Sequence, residues 1–160
     1  MNRGPVVREG YIYIAAALFL AVVMYFGFGV AVAVPFVVLA CYFTYFFRNP
    51  DRTIPTDEHL VVSPADGTVQ DVVELEDDDF VKGPCTKIII FLSVFNVHVN
   101  RSPIAGEIKC QKYVCGRFRP AYKDEVGFEN ERHMLGIENE KGFRVTVTQI
   151  AGILARRIVS

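Results

Sequence analysis

The sequence predicts a mainly β domain, barrel- or sandwich-like, behind an N-terminal two-helix membrane anchor. Three observations carry that expectation. From Tyr11 to Phe47 the chain holds no charged residue. After Phe47, helical periodicity is scarce and short apolar runs rich in Val, Ile and Thr take its place. Between those runs Pro and Gly recur, as turn formers do between strands.

The total of 160 residues bounds the chain to one modest domain plus an anchor. Its 51% hydrophobic content is concentrated in the N-terminal block, leaving an ordinary globular remainder. A net charge of -1 argues against nucleic-acid binding. Of the four cysteines, Cys41 lies in the apolar block, and Cys85, Cys110 and Cys115 lack the paired spacing of a zinc site. They read as reduced thiols of a cytoplasmic domain.

The apolar block is too long for one straight span. A single helix over it would run roughly 55 Å at about 1.5 Å per residue, against a hydrocarbon core of about 30 Å. Gly27-Phe28-Gly29 is the expected break, and Pro35 a kink in the second half. Arg3 and Arg8 precede the block, and Arg48 and Arg52 follow it, which favours both ends on the cytoplasmic face of the cell membrane. Two short passes or a hairpin in one leaflet satisfy this, with Tyr11, Tyr13, Tyr42 and Tyr45 at the water-facing ends. One tilted span and a cleaved signal peptide are the alternatives; the block is long for the latter, and no small-residue cleavage site stands out. The organisation expected is a cytoplasmic N-terminus over 1–10, a helical hairpin anchor over 11–47 and a β-rich domain over 48–160.

The exit from the anchor, Arg48-Asn49-Pro50-Asp51-Arg52, is polar and marked by proline. Strands are expected at Leu60-Val61-Val62, Gly67 to Val73, Thr86 to Leu92, Phe95 to Asn100, Ile104 to Val114, Phe143 to Ile150 and Ile153 to Val159. Glu74 to Asp79 reads as a solvated acidic connector. Arg117 to Glu131 is the least regular stretch and reads as a mobile loop or lid.

Three segments are candidates for chemistry. In Ser63-Pro64-Ala65-Asp66-Gly67, Asp66 is either a turn residue or a carboxylate that orients a histidine for base catalysis. From Phe95 to Asn100, period-two alternation puts Phe95, Val97 and Val99 on a core face and Asn96, His98 and Asn100 on a polar one. His98 then faces either solvent or a cleft. In Gln149 to Val159, the adjacent Arg156 and Arg157 suit an anionic partner such as a lipid phosphate, or form a surface salt-bridge pair.

Together these segments resemble phosphatidylserine decarboxylase of the short bacterial and archaeal form. The matching stretches are Phe46 to Arg52, Ser63 to Val69, Phe91 to Gly106 and Gln149 to Val159, in that order behind the double apolar anchor. The resemblance implies a pyruvoyl-dependent carboxy-lyase made as a proenzyme. In that family a serine cuts the Gly-Ser bond before it, with an Asp and a His assisting, and becomes a covalent pyruvoyl group. That carbonyl is the electron sink for converting phosphatidylserine to phosphatidylethanolamine. By position Asp66 matches the family's Asp, and His98 its strand-motif His. Longer relatives carry a second His where this chain has Arg101, so the step served by His98 stays open. Arg156 and Arg157 would hold the substrate phosphate. The partners implied are the phospholipid, the membrane and a C-terminal small subunit, with a second copy of the chain as a further candidate; nucleic acid is not among them.

None of Ser63, Ser93, Ser102 and Ser160 follows a glycine. The expectation is a chain unable to form the pyruvoyl group from these residues alone, either a fragment of a proenzyme or an inactive relative. The competing function is a membrane-anchored lipid-binding or interaction domain without catalysis.

Overall fold

A computed structural model describes residues 4–55, 57, 60–119, 129–153 and 155–159. The chain divides into two compact units: Met1–Ile54 with Leu92–Asn100, and Pro55–Phe91 with Arg101–Ser160.

The first unit is built on a helical hairpin. Helix α1 spans Gly10–Phe28 and α2 spans Val30–Phe46. At about 1.5 Å per residue their 19 and 17 residues give roughly 28 and 26 Å, close to a hydrocarbon core. The break falls on Gly29, at φ 89° and ψ 178°, a backbone conformation that side chains rarely permit. Pro35 sits inside α2, where it removes one intrahelical donor but leaves the helix unbroken. Small residues line the seam: Ala17, Ala21, Ala33 and Ala40 are buried, so the backbones approach closely. At the open end Val6 bridges Arg48, and the Val7 amide donates to the Phe47 carbonyl at 3.0 Å. The Tyr13 ring stacks on Phe47 at 5.4 Å. The side chains facing away from the seam are apolar and exposed, including Phe19, Phe26, Phe28 and Val38.

The second unit is antiparallel β structure. Strands β1 (Thr68–Leu75) and β2 (Cys85–Phe91) form a two-stranded sheet; β3 (Glu107–Val114), β4 (Arg132–Glu138) and β5 (Arg144–Ile150) form a three-stranded meander. The mainly β class holds, and the described strands close no barrel. Strand β4 escaped the pattern reading because Gly136 interrupts its apolar run and His133 occupies an inward position. Phe80 accounts for that glycine: a Cβ at Gly136 would lie 2.8 Å from its ring. The β4–β5 turn is closed by Asn139, whose Oδ1 accepts from the Lys141 amide at 3.0 Å and the Phe143 amide at 2.8 Å.

Three expected strands are absent among the described residues. Leu60-Val61-Val62 is irregular, held by the Val62 amide to the Pro103 carbonyl at 2.9 Å. The described residues of Ile153 to Val159 form no strand either; β5 stops at Ile150, and the Gly152 amide turns back onto the Ala155 carbonyl. Phe95 to Asn100 is likewise irregular. Its alternation is broken by the turn before it, where the Asn96 side chain accepts from both the amide and the hydroxyl of Ser93, each at 2.7 Å. Val97 is buried at 2% exposure, as expected, but Phe95 is 65% exposed.

The acidic connector is docked as well as solvated. Asp78 accepts from the Phe80 and Val81 amides at 3.0 and 2.9 Å and from the Thr146 hydroxyl at 3.1 Å. Burial alone would raise its pKa; the bonds from Val81, Phe80 and Thr146 outweigh it and hold the carboxyl below 3.8. The expected loop or lid within Arg117 to Glu131 falls largely on 120–128, outside the described residues.

Candidate functional site

His98 belongs to the first unit and sits against the last residue of α2. Its ring stacks on Phe46, with centroids 4.3 Å apart and planes inclined by 26°. Nδ1 lies 3.0 Å from the Asn96 carbonyl. A carbonyl only accepts, so Nδ1 carries the hydrogen and the neutral ring keeps its lone pair on Nε2. The hydrogen bond that fixes the tautomer thus comes from backbone two residues away. Burial lowers the imidazole pKa below 6.5; the Asn96 bond opposes this and the Arg48 charge adds to it. His98 is therefore a neutral, oriented base at pH 7. Strand alternation does not put it there: the Ser93–Asn96 turn and the aromatic end of α2 do.

Arg48 and Tyr45 hold the other side of this loop. The Arg48 guanidinium lies 3.8 Å over the Tyr45 ring and donates to the carbonyls of Tyr45 and Phe95, both at 2.8 Å. The Tyr45 hydroxyl donates to the same Phe95 carbonyl at 3.2 Å.

Asp66 belongs to the second unit, in an irregular turn leading into β1, and is partly exposed. The Ser63 hydroxyl donates to the Ala65 carbonyl at 2.8 Å, and the Arg101 amide donates to the Pro64 carbonyl at 2.9 Å. Gly67 is demanded by close approach and not by a positive φ: a Cβ there would lie 2.5 Å from the Phe91 carbonyl oxygen.

Arg156 and Arg157 are exposed, on an irregular segment of the second unit. Arg156 Nε donates to the Ile153 carbonyl at 2.8 Å, with its guanidinium 5.8 Å from the Phe118 ring centre. The base of that segment is held by a residue the motif reading passed over. Asn130 is wholly buried; its Oδ1 accepts from the Arg119 amide at 3.0 Å, and its Nδ2 donates to the carbonyls of Arg119 at 2.8 Å and Ala151 at 2.9 Å. The Ala151 amide in turn donates to the Glu131 carbonyl at 2.8 Å. No local pattern marks Asn130, because its partners lie 11 and 21 residues away.

A second unanticipated polar group lies on the meander. His133, 1% exposed, has Nε2 at 2.8 Å from Gln111 Nε2, so that nitrogen accepts and Nδ1 bears the hydrogen. Gln149 is its register partner on β5. The buried His133 Nδ1 and Gln149 Oε1 have no hydrogen-bond partner among the described residues. On the neighbouring strand, a hydrogen bond to Glu131 pushes the Tyr113 hydroxyl up to about 12, with burial and the Glu131 charge adding to it.

Comparison with known proteins fits these segments into one family. The phosphatidylserine decarboxylase profile matches residues 39–160. The phosphatidylserine decarboxylase proenzyme of Symbiobacterium thermophilum is 48% identical over 160 residues, covering 100% of this chain and 74% of the relative. That of Carboxydothermus hydrogenoformans is 46% identical over 156 residues, covering 96% and 71%. The Geobacter metallireducens protein of the same name is 44% identical over 163 residues, covering 99% and 74%. With a profile match that takes in the His98 loop, the Asp66 turn and the Arg156 segment alike, the chain belongs to the phosphatidylserine decarboxylase family.

Proposed function

We propose that these 160 residues form the membrane-anchored, proton-handling part of an enzyme that converts phosphatidylserine to phosphatidylethanolamine, working on the cytoplasmic face of the cell membrane. The observation that carries this is the seat of His98. A neutral imidazole with its hydrogen fixed on Nδ1 presents Nε2 as a base, which suits taking the proton of a nucleophilic hydroxyl or relaying one to the product.

The pyruvoyl group of the family arises at a Gly-Ser bond, and no Gly-Ser pair occurs among these residues. What they hold that fits such a group is the His98 base. When present, the group supplies a carbonyl that accepts the electron pair released with carbon dioxide. The 160-residue polypeptide by itself accordingly carries no such group and releases no carbon dioxide, and a C-terminal small subunit completes the enzyme.

Asp66 is assigned as the carboxylate that works with His98. The support is the match by position of the Ser63 to Val69 segment to the family's motif. With Nδ1 engaged by Asn96, a carboxylate would act at the Nε2 side. Arg156 and Arg157 are assigned to the lipid phosphate; both are exposed, and Arg156 is propped by Phe118 and the Ile153 carbonyl. The apolar hairpin with cationic flanks keeps the chain at the bilayer that holds its substrate.

The test fuses to residue 160 a C-terminal segment carrying a Gly-Ser pair, taken from a relative. Self-cleavage and carbon dioxide release from phosphatidylserine are expected. Asp66→Ala and His98→Ala should each abolish cleavage or turnover, and Arg156→Ala with Arg157→Ala should raise KM. Normal processing and turnover in the Asp66 and His98 variants would remove the site assignment. A fusion that binds phospholipid but never cleaves would favour the non-catalytic lipid-binding reading.

A further inference from the structure

Exposed phenylalanines are ordinary on protein surfaces, and Phe95 at 65% exposure would need no account if its position were arbitrary. It is not. Its carbonyl oxygen is held by two groups at the end of α2, the Tyr45 hydroxyl in its last turn at 3.2 Å and the Arg48 guanidinium two residues beyond it at 2.8 Å. The turn that presents it is closed internally: the Asn96 amide donates to the Ser93 carbonyl at 3.0 Å, and Asn96 Oδ1 receives the Ser93 amide and hydroxyl. The residue two further on, Val97, is buried at 2% and roots the loop. An apolar ring is therefore held out on a hydrogen-bonded turn at the level of an amphipathic tyrosine and an arginine just beyond the end of an apolar helix.

That level has a physical meaning. Hairpin helices of roughly 28 and 26 Å match a hydrocarbon core of about 30 Å. Tyrosine hydroxyls and arginine heads at helix ends settle among the headgroups. The exposed Tyr11, Tyr13 and Tyr45 all belong to the open end of the hairpin. A group bonded to the Tyr45 hydroxyl shares its depth.

We propose that the Ser93–Asn96 turn is a lipid-binding element, with the Phe95 ring entering the headgroup–acyl boundary of the bilayer beside the anchor. This rests on the anchor reading under Proposed function. It adds a third attachment to the two helices and fixes the depth of the loop. His98, three residues on and stacked on Phe46, is then held at headgroup level, where the amine and carboxylate of a membrane lipid lie.

The chain contains no tryptophan, so a single substitution places one reporter. The full chain is reconstituted into vesicles of phosphatidylcholine and phosphatidylglycerol, as Phe95→Trp and, separately, as Phe26→Trp near the hairpin tip, where the native ring is 82% exposed. Emission from Phe95→Trp should move to the blue relative to the same protein with its hairpin intact but the lipid replaced by a short-chain detergent. It should be quenched by acyl chains brominated near the headgroup end and shielded from aqueous iodide. Phe26→Trp should be quenched by brominated acyl chains in the same vesicles. If Phe26→Trp is quenched by bromolipid while Phe95→Trp responds only to iodide, the inference is overturned and the anchor stands. If neither responds to bromolipid, the anchor reading fails and the inference falls with it.

Discussion

Replacing Asn130 with alanine should loosen the segment that carries Arg156 and Arg157 more than any surface change nearby. The wild-type side chain is wholly buried and makes three hydrogen bonds, one from the Arg119 amide and two to the carbonyls of Arg119 and Ala151. Each buried bond is worth about 1 kcal/mol net, and stranding its partner costs up to about 3 kcal/mol where water cannot replace it. The chain around Arg119 and Ala151 can admit some water, so the sum is about 3 kcal/mol. Asn130→Asp should cost at least as much, since it keeps the acceptor for the Arg119 amide but turns a charged oxygen toward two carbonyls. Hydrogen exchange reads the effect directly. The Arg119 amide should exchange roughly 100-fold faster in Asn130→Ala, the ratio corresponding to about 3 kcal/mol, and the β4 amides next to it should accelerate with it. If Arg156 and Arg157 hold the lipid phosphate as proposed, the same variant in the Gly-Ser-bearing fusion should raise KM for phosphatidylserine more than it lowers kcat. A loss below about 1 kcal/mol, with the Arg119 amide still protected, would refute the role given to Asn130.

Three further outcomes follow from the same geometry. The His98 imidazole should titrate below 6.5 by nuclear magnetic resonance and move upward in Arg48→Gln, since burial and the Arg48 charge both oppose protonation; because the unfolded chain then takes the proton first, stability should be constant above about 6.5 and fall as pH drops below it, and a titration midpoint at or above 6.5 would contradict this seat. The Asp78 carboxyl, held below 3.8, should contribute stability above that pH that is lost on acidification; Asp78→Asn should cost about 1–2 kcal/mol in a denaturant melt at pH 7 and flatten the acid limb below pH 4. Gly136→Ala should destabilise by about 1–3 kcal/mol through overpacking against Phe80, and Phe80→Leu should recover part of that loss; equal losses with and without Phe80→Leu would show that the ring is not what the glycine accommodates.

The helical hairpin was legible in the sequence because its signal is local. An uncharged apolar run satisfies its backbone within helices, and Gly29, in a conformation that side chains rarely adopt, marks where the chain turns back. Strands β1, β2, β3 and β5 were legible for a similar reason: each is a short stretch bounded by turn formers, and β1, β2 and β5 are rich in β-branched residues. The family segments were legible as ordered motifs, which placed Asp66, His98 and the arginine pair on the page without saying what surrounds them. Tertiary structure alone decided the rest. Alternation predicted His98 on the polar face of a strand, but Ser93 and Asn96 bond locally and bend the backbone out of extended form, so Phe95 turns outward and His98 meets Phe46, 52 positions earlier. Strand β4 was hidden because its glycine answers to Phe80 and its buried histidine to Gln111, neither of them a neighbour in sequence. Asn130 reads as one more polar residue until Arg119 and Ala151 close around it. Periodicity records which face a residue turns to water. Which distant residue it meets depends on chain reversals and register, and those are set only when the whole chain packs.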